Sequence, residues 1–306
     1  YVGSLSRHLE WWMHNNEVPL GANFRQENAD PGSPSTPLPA NFLRPMLGYI
    51  NVLNYEWNGS SNYHSLQVQA NRRFATGLQF GVSWTWSKTM APNTWDREAI
   101  SRLVGFNSWY RGLSGNDRTH MLKANWVYEL PKMPGTLGAN LITRQVFNGW
   151  QISGIASFLS GQPTGLSWSS TVPADTTGSP SLGARIDYVR DPVLPKSERT
   201  FARNFITEVF RRPAVGTVGN TPKYYLRRPG VNNWDIALFK NFVIREPGTR
   251  IQLRWEMYNA FNHTQFSAFD TGARFDPQGN QVNAQFGAYT AARNPRIMQV
   301  SLRFYF

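Results

Sequence analysis

The sequence predicts an all-β fold: an antiparallel transmembrane β-barrel of about eight strands with long outer loops, forming part of a larger barrel. Three observations lead there. Stretches of about ten residues alternate apolar and polar side chains. The connections between them are short and long in turn. The composition is low in charge and rich in neutral polar residues.

The alternation is clearest in residues 78–88, where Leu78, Phe80, Val82, Trp84 and Trp86 share one face and Gln79, Gly81, Ser83, Thr85 and Ser87 the other. Eleven residues is about the length a tilted strand needs to cross the hydrocarbon. Before it, residues 62–74 set Leu66, Val68 and Ala70 against Gln67, Gln69 and Asn71, and Ala75-Thr76-Gly77 reads as a three-residue hairpin connection. Residues 120–130 oppose Leu122, Ala124, Trp126 and Tyr128 to Lys123, Asn125 and Glu129. Residues 150–160 are less regular, because Ile155 and Leu159 fall on the polar face. Residues 234–244 and 250–261 flank a turn at 245–249. The second of them sets Ile251, Leu253, Trp255 and Met257 against Gln252, Arg254 and Glu256. The chain closes on 296–306, with Met298, Val300, Leu302, Phe304 and Phe306 on one side. Residues 1–9 are a weaker first strand.

The connections at 75–77, 131–149 and 245–249 are short or medium, whereas 10–61, 89–119, 161–233 and 262–295 are long. Transmembrane barrels sort their loops this way, with short turns at the periplasmic rim and long loops outside. A soluble sandwich has no reason to, and loops of such length are uncommon in compact domains. Within the long loops, Ser197 caps a predicted helix over 198–212 that Pro213 stops, with Phe201, Phe205, Ile206, Val209 and Phe210 as its apolar stripe. A shorter helix is predicted at 95–104, and the proline-rich stretch 29–45 reads as irregular.

Charged residues are only 16% of the 306 residues and aromatics 14%, with a mean hydropathy of −0.45, so Asn, Gln, Ser and Thr replace the missing charges. That suits a wall with one wet face and one lipid-facing side. The absence of cysteine excludes disulfide scaffolds, thiolate metal sites and cysteine nucleophiles. A net charge of +12 raises the question of nucleic acid. The charges are scattered, however, and no nucleic-acid partner is expected. The loop at 161–233 carries ten Lys and Arg against five acids. That surplus suits anionic lipopolysaccharide or an anionic substrate as well as an ordinary solvated loop.

Several stretches, residues 60–90, 116–131, 148–163, 233–242 and the run Asn259-Ala260-Phe261-Asn262-His263-Thr264-Gln265-Phe266, resemble the C-terminal barrel end of Oar-like TonB-dependent receptors. The resemblance spans nearly the whole chain. It implies a Gram-negative outer-membrane location and TonB-energised uptake of a scarce nutrient or glycan. Lipid and lipopolysaccharide would surround the barrel. A plug domain and TonB would be engaged through sequence N-terminal to this chain, where a signal peptide would also lie. It further implies that Phe304 and Phe306 form the signal read by the barrel assembly machinery. Residues 1–306 are then one domain, the C-terminal barrel portion. Two other readings stand beside it: a small closed outer-membrane barrel serving as adhesin or passive pore, and a soluble aromatic-rich module for glycans or nucleic acid.

Alternation places Gln67, Gln69, Gln79, Lys123, Asn125, Gln151, Gln252, Arg254, Glu256 and Arg303 on the lumen side, with Arg254 and Glu256 spaced to pair. It places Trp84, Trp86, Trp126, Trp150, Trp234 and Trp255 on the lipid side, as an interfacial aromatic girdle. No catalytic residues, metal or cofactor are expected. Catalytic motifs such as H-E-x-x-H and G-x-S-x-G are absent. The neighbours Ser114, Asp117 and His120 suit loop hydrogen bonding better than a catalytic triad.

Overall fold

The computed structural model describes residues 1–92, 99–133, 141–245 and 248–306. Each of the eight predicted segments falls largely within a long strand: β1 (Val2–His14), β2 (Leu53–Ala75), β3 (Leu78–Ala91), β4 (His120–Glu129), β5 (Trp150–Leu159), β6 (Val231–Arg245), β7 (Thr249–Tyr258) and β8 (Ile297–Tyr305); β1 and β2 extend into the expected loop 10–61, and residues 259–261 turn instead of continuing β7. Each pairs antiparallel with its sequence neighbour, giving one up-and-down sheet in the order β8-β7-β6-β5-β4-β3-β2-β1. Two short strands, Ala99–Ser101 and Gly112–Leu113, add to its long-loop rim. The sheet is open: among the described residues β1 and β8 do not pair with each other.

Register turns the alternation into two continuous faces. Leu66, Trp86 and His120 stand opposite one another in turn, as do Val68, Trp84, Leu122 and Phe158. Further round, Ile236 faces Met257 and Leu238 faces Trp255. Trp255 faces Val300, and Leu253 faces Leu302. The polar set runs the same way, through Gln69, Ser83, Lys123, Ser157 and Asn233. A strand's side-chain period is two, so a slip of one residue anywhere would mix the faces. The apolar face lies open: Val300 and Leu302 are about two-thirds exposed.

The irregular β5 has a local cause. Gly154 takes the apolar-face slot between Ile152 and Ala156, and a Cβ there would come within 2.4 Å of the Trp126 indole. The ring therefore lies over the glycine, while Ile155 projects, half-exposed, from the polar face. The first hairpin is tighter than expected. Ala75 pairs with Leu78, and only Thr76 (φ 49°) and Gly77 (φ 80°) turn, both left-handed. That is the primed turn whose twist matches the flanking strands.

At the other rim the long loops form one cap. Phe205 packs edge-to-face on Phe210, Phe269 and Phe286 with centroids 5.2–5.8 Å apart, which joins segment 160–230 to segment 259–296 in one apolar core with Ile186, Val209, Leu226 and Phe275. The loop after β1 is laced to the same cap by Gly21 N–H to Thr177 O (2.8 Å) and Asn23 N–H to Gly178 O (2.9 Å). The helix expected over 198–212 does not form. Its residues make short 3-10 turns at Lys196–Glu198 and Thr207–Val209 and a two-residue strand, Phe210–Arg211, paired with Asp187–Tyr188. Thr, Ile, Val and Phe are weak helix formers, and the backbone finds partners across the cap instead, as in Ile206 N–H to Pro192 O at 2.8 Å. Of the helix expected at 95–104, residues 95–98 lie outside the described residues, and 99–101 are strand. The proline-rich 29–45 holds a small hairpin, Ala29–Asp30 with Ser33–Pro37, and a helical turn at Ala40–Leu43.

The expectation that the apolar face meets lipid yields a paired test. Val300→Arg should destabilise the folded protein in bilayers by about 2–4 kcal/mol, while Gln299→Arg, on the opposite face and across from Glu256, should be near neutral. Urea unfolding in lipid vesicles measures both; equal costs would mean that the faces are not distinguished by lipid.

Candidate functional site

The polar face carries a groove under the last loop. Its upper part, about 810 Å³, is walled by Lys123, Ser157, Asn233, Asp235, Gln265 and Arg293 among others. A lower part of about 320 Å³ shares Asp235 and Tyr258 with it and adds Asn125, Ser153 and Glu256. Strand parity puts Lys123, Asn125, Asn233, Asp235 and Glu256 there. A polar lattice sets the loop above them. Asp235 Oδ1 accepts from Asn233 Nδ2 (2.9 Å) and from the Asn259 backbone N–H (3.0 Å). The side chain of Gln265, itself buried, donates to Asn233 Oδ1 (3.0 Å) and accepts from the Asn232 backbone N–H (3.1 Å), while its carbonyl accepts from Arg293 N–H (2.7 Å). Asn259 and Asn262 both adopt φ 51°, a left-handed conformation that asparagine tolerates better than most residues. The groove thus presents a lysine, an arginine, two carboxylates and several amides.

All ten residues expected on the polar face share it. Three of them, Lys123, Asn125 and Glu256, line the groove. Gln252, Arg254 and Arg303 form a band below it: Arg254 Nε donates to Gln252 Oε1 at 2.7 Å, and its guanidinium lies over the Phe239 ring at 4.8 Å. Arg254 and Glu256 therefore do not form the expected pair. Glu256 instead accepts from Gln299 on β8. Gln151 stands between Glu129 and Phe239, and Gln67, Gln69 and Gln79 lie on β2 and β3, away from the groove. Asp235 went unremarked in the sequence although its parity would have revealed it. Asn259, Gln265 and Arg293 belong to loop geometry that periodicity does not encode.

A second constellation locks the cap. The Asp117 carboxylate, fully buried, accepts from Arg227 Nη2 (2.6 Å) and from the Thr89 backbone N–H (2.7 Å). Ser114 N–H bonds Thr89 O and Asp117 N–H bonds Ser114 O, both at 2.9 Å. His120 instead stacks on Trp84, with centroids 5.9 Å apart and planes 9° from parallel. Ser114 and Asp117 therefore build a loop anchor, and His120 belongs to the other face. Nearby, Arg185 lies 3.9 Å over the Trp109 ring, and burial lowers its guanidinium pKa from the ordinary value. Among the described residues no group of three or more His, Asp or Glu is placed to hold a metal ion.

A family model described as an outer membrane beta barrel domain matches residues 1–299. The chain belongs to this outer-membrane β-barrel family. It is accordingly a protein of the bacterial outer membrane. No curated protein matches it.

In this barrel domain the six named tryptophans all occupy the apolar face. Trp84 and Trp86 lie toward the long-loop rim. Trp234 is near the start of β6 and touches Phe158, Phe261 and Trp126 edge-on at 5.6–5.9 Å. Trp150 opens β5 at the short-turn rim, beside the buried Lys240, whose ammonium lies 5.1 Å from its ring and donates to Asn148 O. Trp126 and Trp255 sit farther along their strands. Phe304 stands opposite Ile251 on the apolar face, stacked on Phe306 at 5.8 Å.

The Asp117 anchor makes its own prediction. Asp117→Ala leaves the Thr89 amide and Arg227 Nη2 without their acceptor, with Arg227 Nη1 still on Gly161 O, and should cost about 1–3 kcal/mol of local stability. Amide exchange at Thr89 should quicken roughly tenfold or more, since 1.4 kcal/mol is a factor of ten. Asp117→Asn, which keeps one acceptor, should lose less, and equal exchange in all three proteins would refute the anchoring role.

Proposed function

We propose that this barrel domain is a wall segment of a TonB-dependent receptor that takes up a scarce nutrient, with the polar face as lumen and the fused loops as the outer mouth. The observation that carries the proposal is the open eight-strand sheet, whose polar groove runs beneath the cap. In hydrocarbon each unpaired strand edge is costly, so an open sheet calls for further strands on both sides. The resemblance of residues 60–90, 116–131 and 148–163 to Oar-like receptors supports the same reading. The groove residues Lys123, Asp235, Glu256 and Arg293 then meet either the solute or the plug that fills such a barrel. No chemistry is assigned to them beyond binding, and the protein is read as a transporter rather than an enzyme.

A surface adhesin is the second reading, favoured by one feature: the cap has its own aromatic core and would hold a binding surface rigid. Eight strands closing on themselves would leave an interior filled by side chains, which fits adhesion and not conduction.

The mass of the native protein in isolated outer membranes separates the two. An antibody to residues 161–233 should detect a band several-fold heavier than 34.8 kDa. A band at 34.8 kDa would replace uptake with adhesion.

A further inference from the structure

On the apolar face, where it meets the cap, lies a second cavity of about 850 Å³. Its floor is Trp84, Leu122 and Phe158, three residues standing opposite one another across β3, β4 and β5 and continuous with the rest of the apolar face. Its upper wall comes from the loops and supplies Lys196, Arg199, Arg227 and Arg228. Its lining includes no acidic residue. Lys196, Arg199 and Arg228 are exposed, whereas Arg227 is committed to Asp117. Arg118 stands just behind, its Nη1 donating to Ser160 O at 2.6 Å. Burial, with Arg293 and Arg227 nearby, lowers the Arg118 pKa from its ordinary value.

A cationic rim directly above an apolar floor matches a ligand with anionic groups at one end and acyl chains at the other. A free phosphate would use the rim and leave the floor uncovered. A neutral lipid would use the floor and leave the cations unmatched. We propose that this cavity binds the phosphorylated glycolipid anchor of lipopolysaccharide, with its phosphates on Lys196, Arg199 and Arg228 and its acyl chains along Trp84, Leu122 and Phe158. The assignment rests on the outward orientation of the cap and on the apolar face meeting lipid. It does not need the uptake reading. Multiply charged phosphate is what clustered Arg and Lys bind best, through charge-assisted hydrogen bonds. The site also gives the positive surplus of residues 161–233 a specific use.

The test is native mass spectrometry of the protein extracted from outer membranes in mild detergent with its lipids. One phosphorylated glycolipid per chain is expected on the wild type. The triple variant Lys196→Glu/Arg199→Glu/Arg228→Glu should retain less than a tenth of it. These are exposed loop positions, so the variant should keep the heat-modifiable gel mobility of the folded barrel. As a control, Arg190→Glu/Arg274→Glu reverses charge outside the cavity and should retain the lipid fully. Wild-type occupancy in the triple variant would overturn the proposal, as would an ordinary phospholipid in place of the glycolipid, or displacement by millimolar inorganic phosphate. Orientation is checked separately in native membranes. Leu122→Cys should react with a lipid-soluble maleimide and resist a membrane-impermeant one. Reaction with the impermeant reagent would overturn the orientation on which the site rests, whichever lipid co-purifies.

Discussion

Backbone hydrogen bonding in a medium that offers none is the constraint on which this structure depends. A strand in hydrocarbon must give every N–H and C=O to a neighbouring strand, because each unmet group costs several kcal/mol. Here the strands meet that demand for one another in sequence order, except along the outer edges of β1 and β8, and the register holds over long runs. It runs unbroken from Ile236↔Met257 to Val243↔Arg250, and from Arg250↔Tyr305 to Tyr258↔Ile297. Once pairing is fixed, the two-residue period decides which side chains face which medium. The apolar belt and the polar groove are therefore one event seen from two sides. Lys123 can face the groove only because Leu122 and Ala124 face away.

The loops answer a different constraint. Outside the sheet the backbone must again find partners, and the cap supplies them by interlocking rather than by forming long regular elements. Phe205 and Phe210 come from one loop, Phe269 and Phe286 from another, and they meet in a shared core. Asp117 reaches from the loop after β3 to Arg227 in the loop before β6, and Arg185 lies on Trp109 across the same divide. The groove is thus roofed by a braced assembly and not by four independent flaps, and its upper wall at Asn259, Gln265 and Arg293 is hydrogen-bonded to the strand below, Arg293 through Gln265.

This difference explains what could be read from the sequence. Strand positions and faces were legible because lipid and water impose a strict period that a single chain displays residue by residue. The face of Gln252, Arg254 and Glu256 followed from counting by two. The loops were not legible, since their order comes from contacts between segments far apart in sequence. The stripe of Phe201, Phe205, Ile206, Val209 and Phe210 has helical spacing, yet it signals burial only. Hydrogen bonds such as Asn204 Nδ2 to Gly287 O, 83 residues away, decide its actual conformation. The turn at Thr76-Gly77 and the glycine slot under Trp126 fall between these cases. The glycines were visible, but which contact required each of them was not.

Where the register does break, the position of the breaks is informative. Shifts occur between Arg7 and Leu9 and between Leu9 and Trp11 in β1, between Arg72 and Ala75 at the first turn, and between Val243 and Arg245 at the third short connection. The shifts at Arg72/Ala75 and Val243/Arg245 adjoin the short turns, where water can satisfy a displaced backbone group, whereas the two in β1 fall in mid-strand, on the outermost long strand of the sheet. The β1 shifts do further work. His8 takes φ 55° there, and the chain beyond it leaves the plain alternation. Trp11 and Met13 are then buried against Ile100, Phe106 and Tyr110. A bulge bends its strand and re-aims the side chains that follow. One strand can therefore serve the belt with Leu5 and the cap with Trp11, and the loop rim is tied to the sheet at the edge where sequential pairing ends.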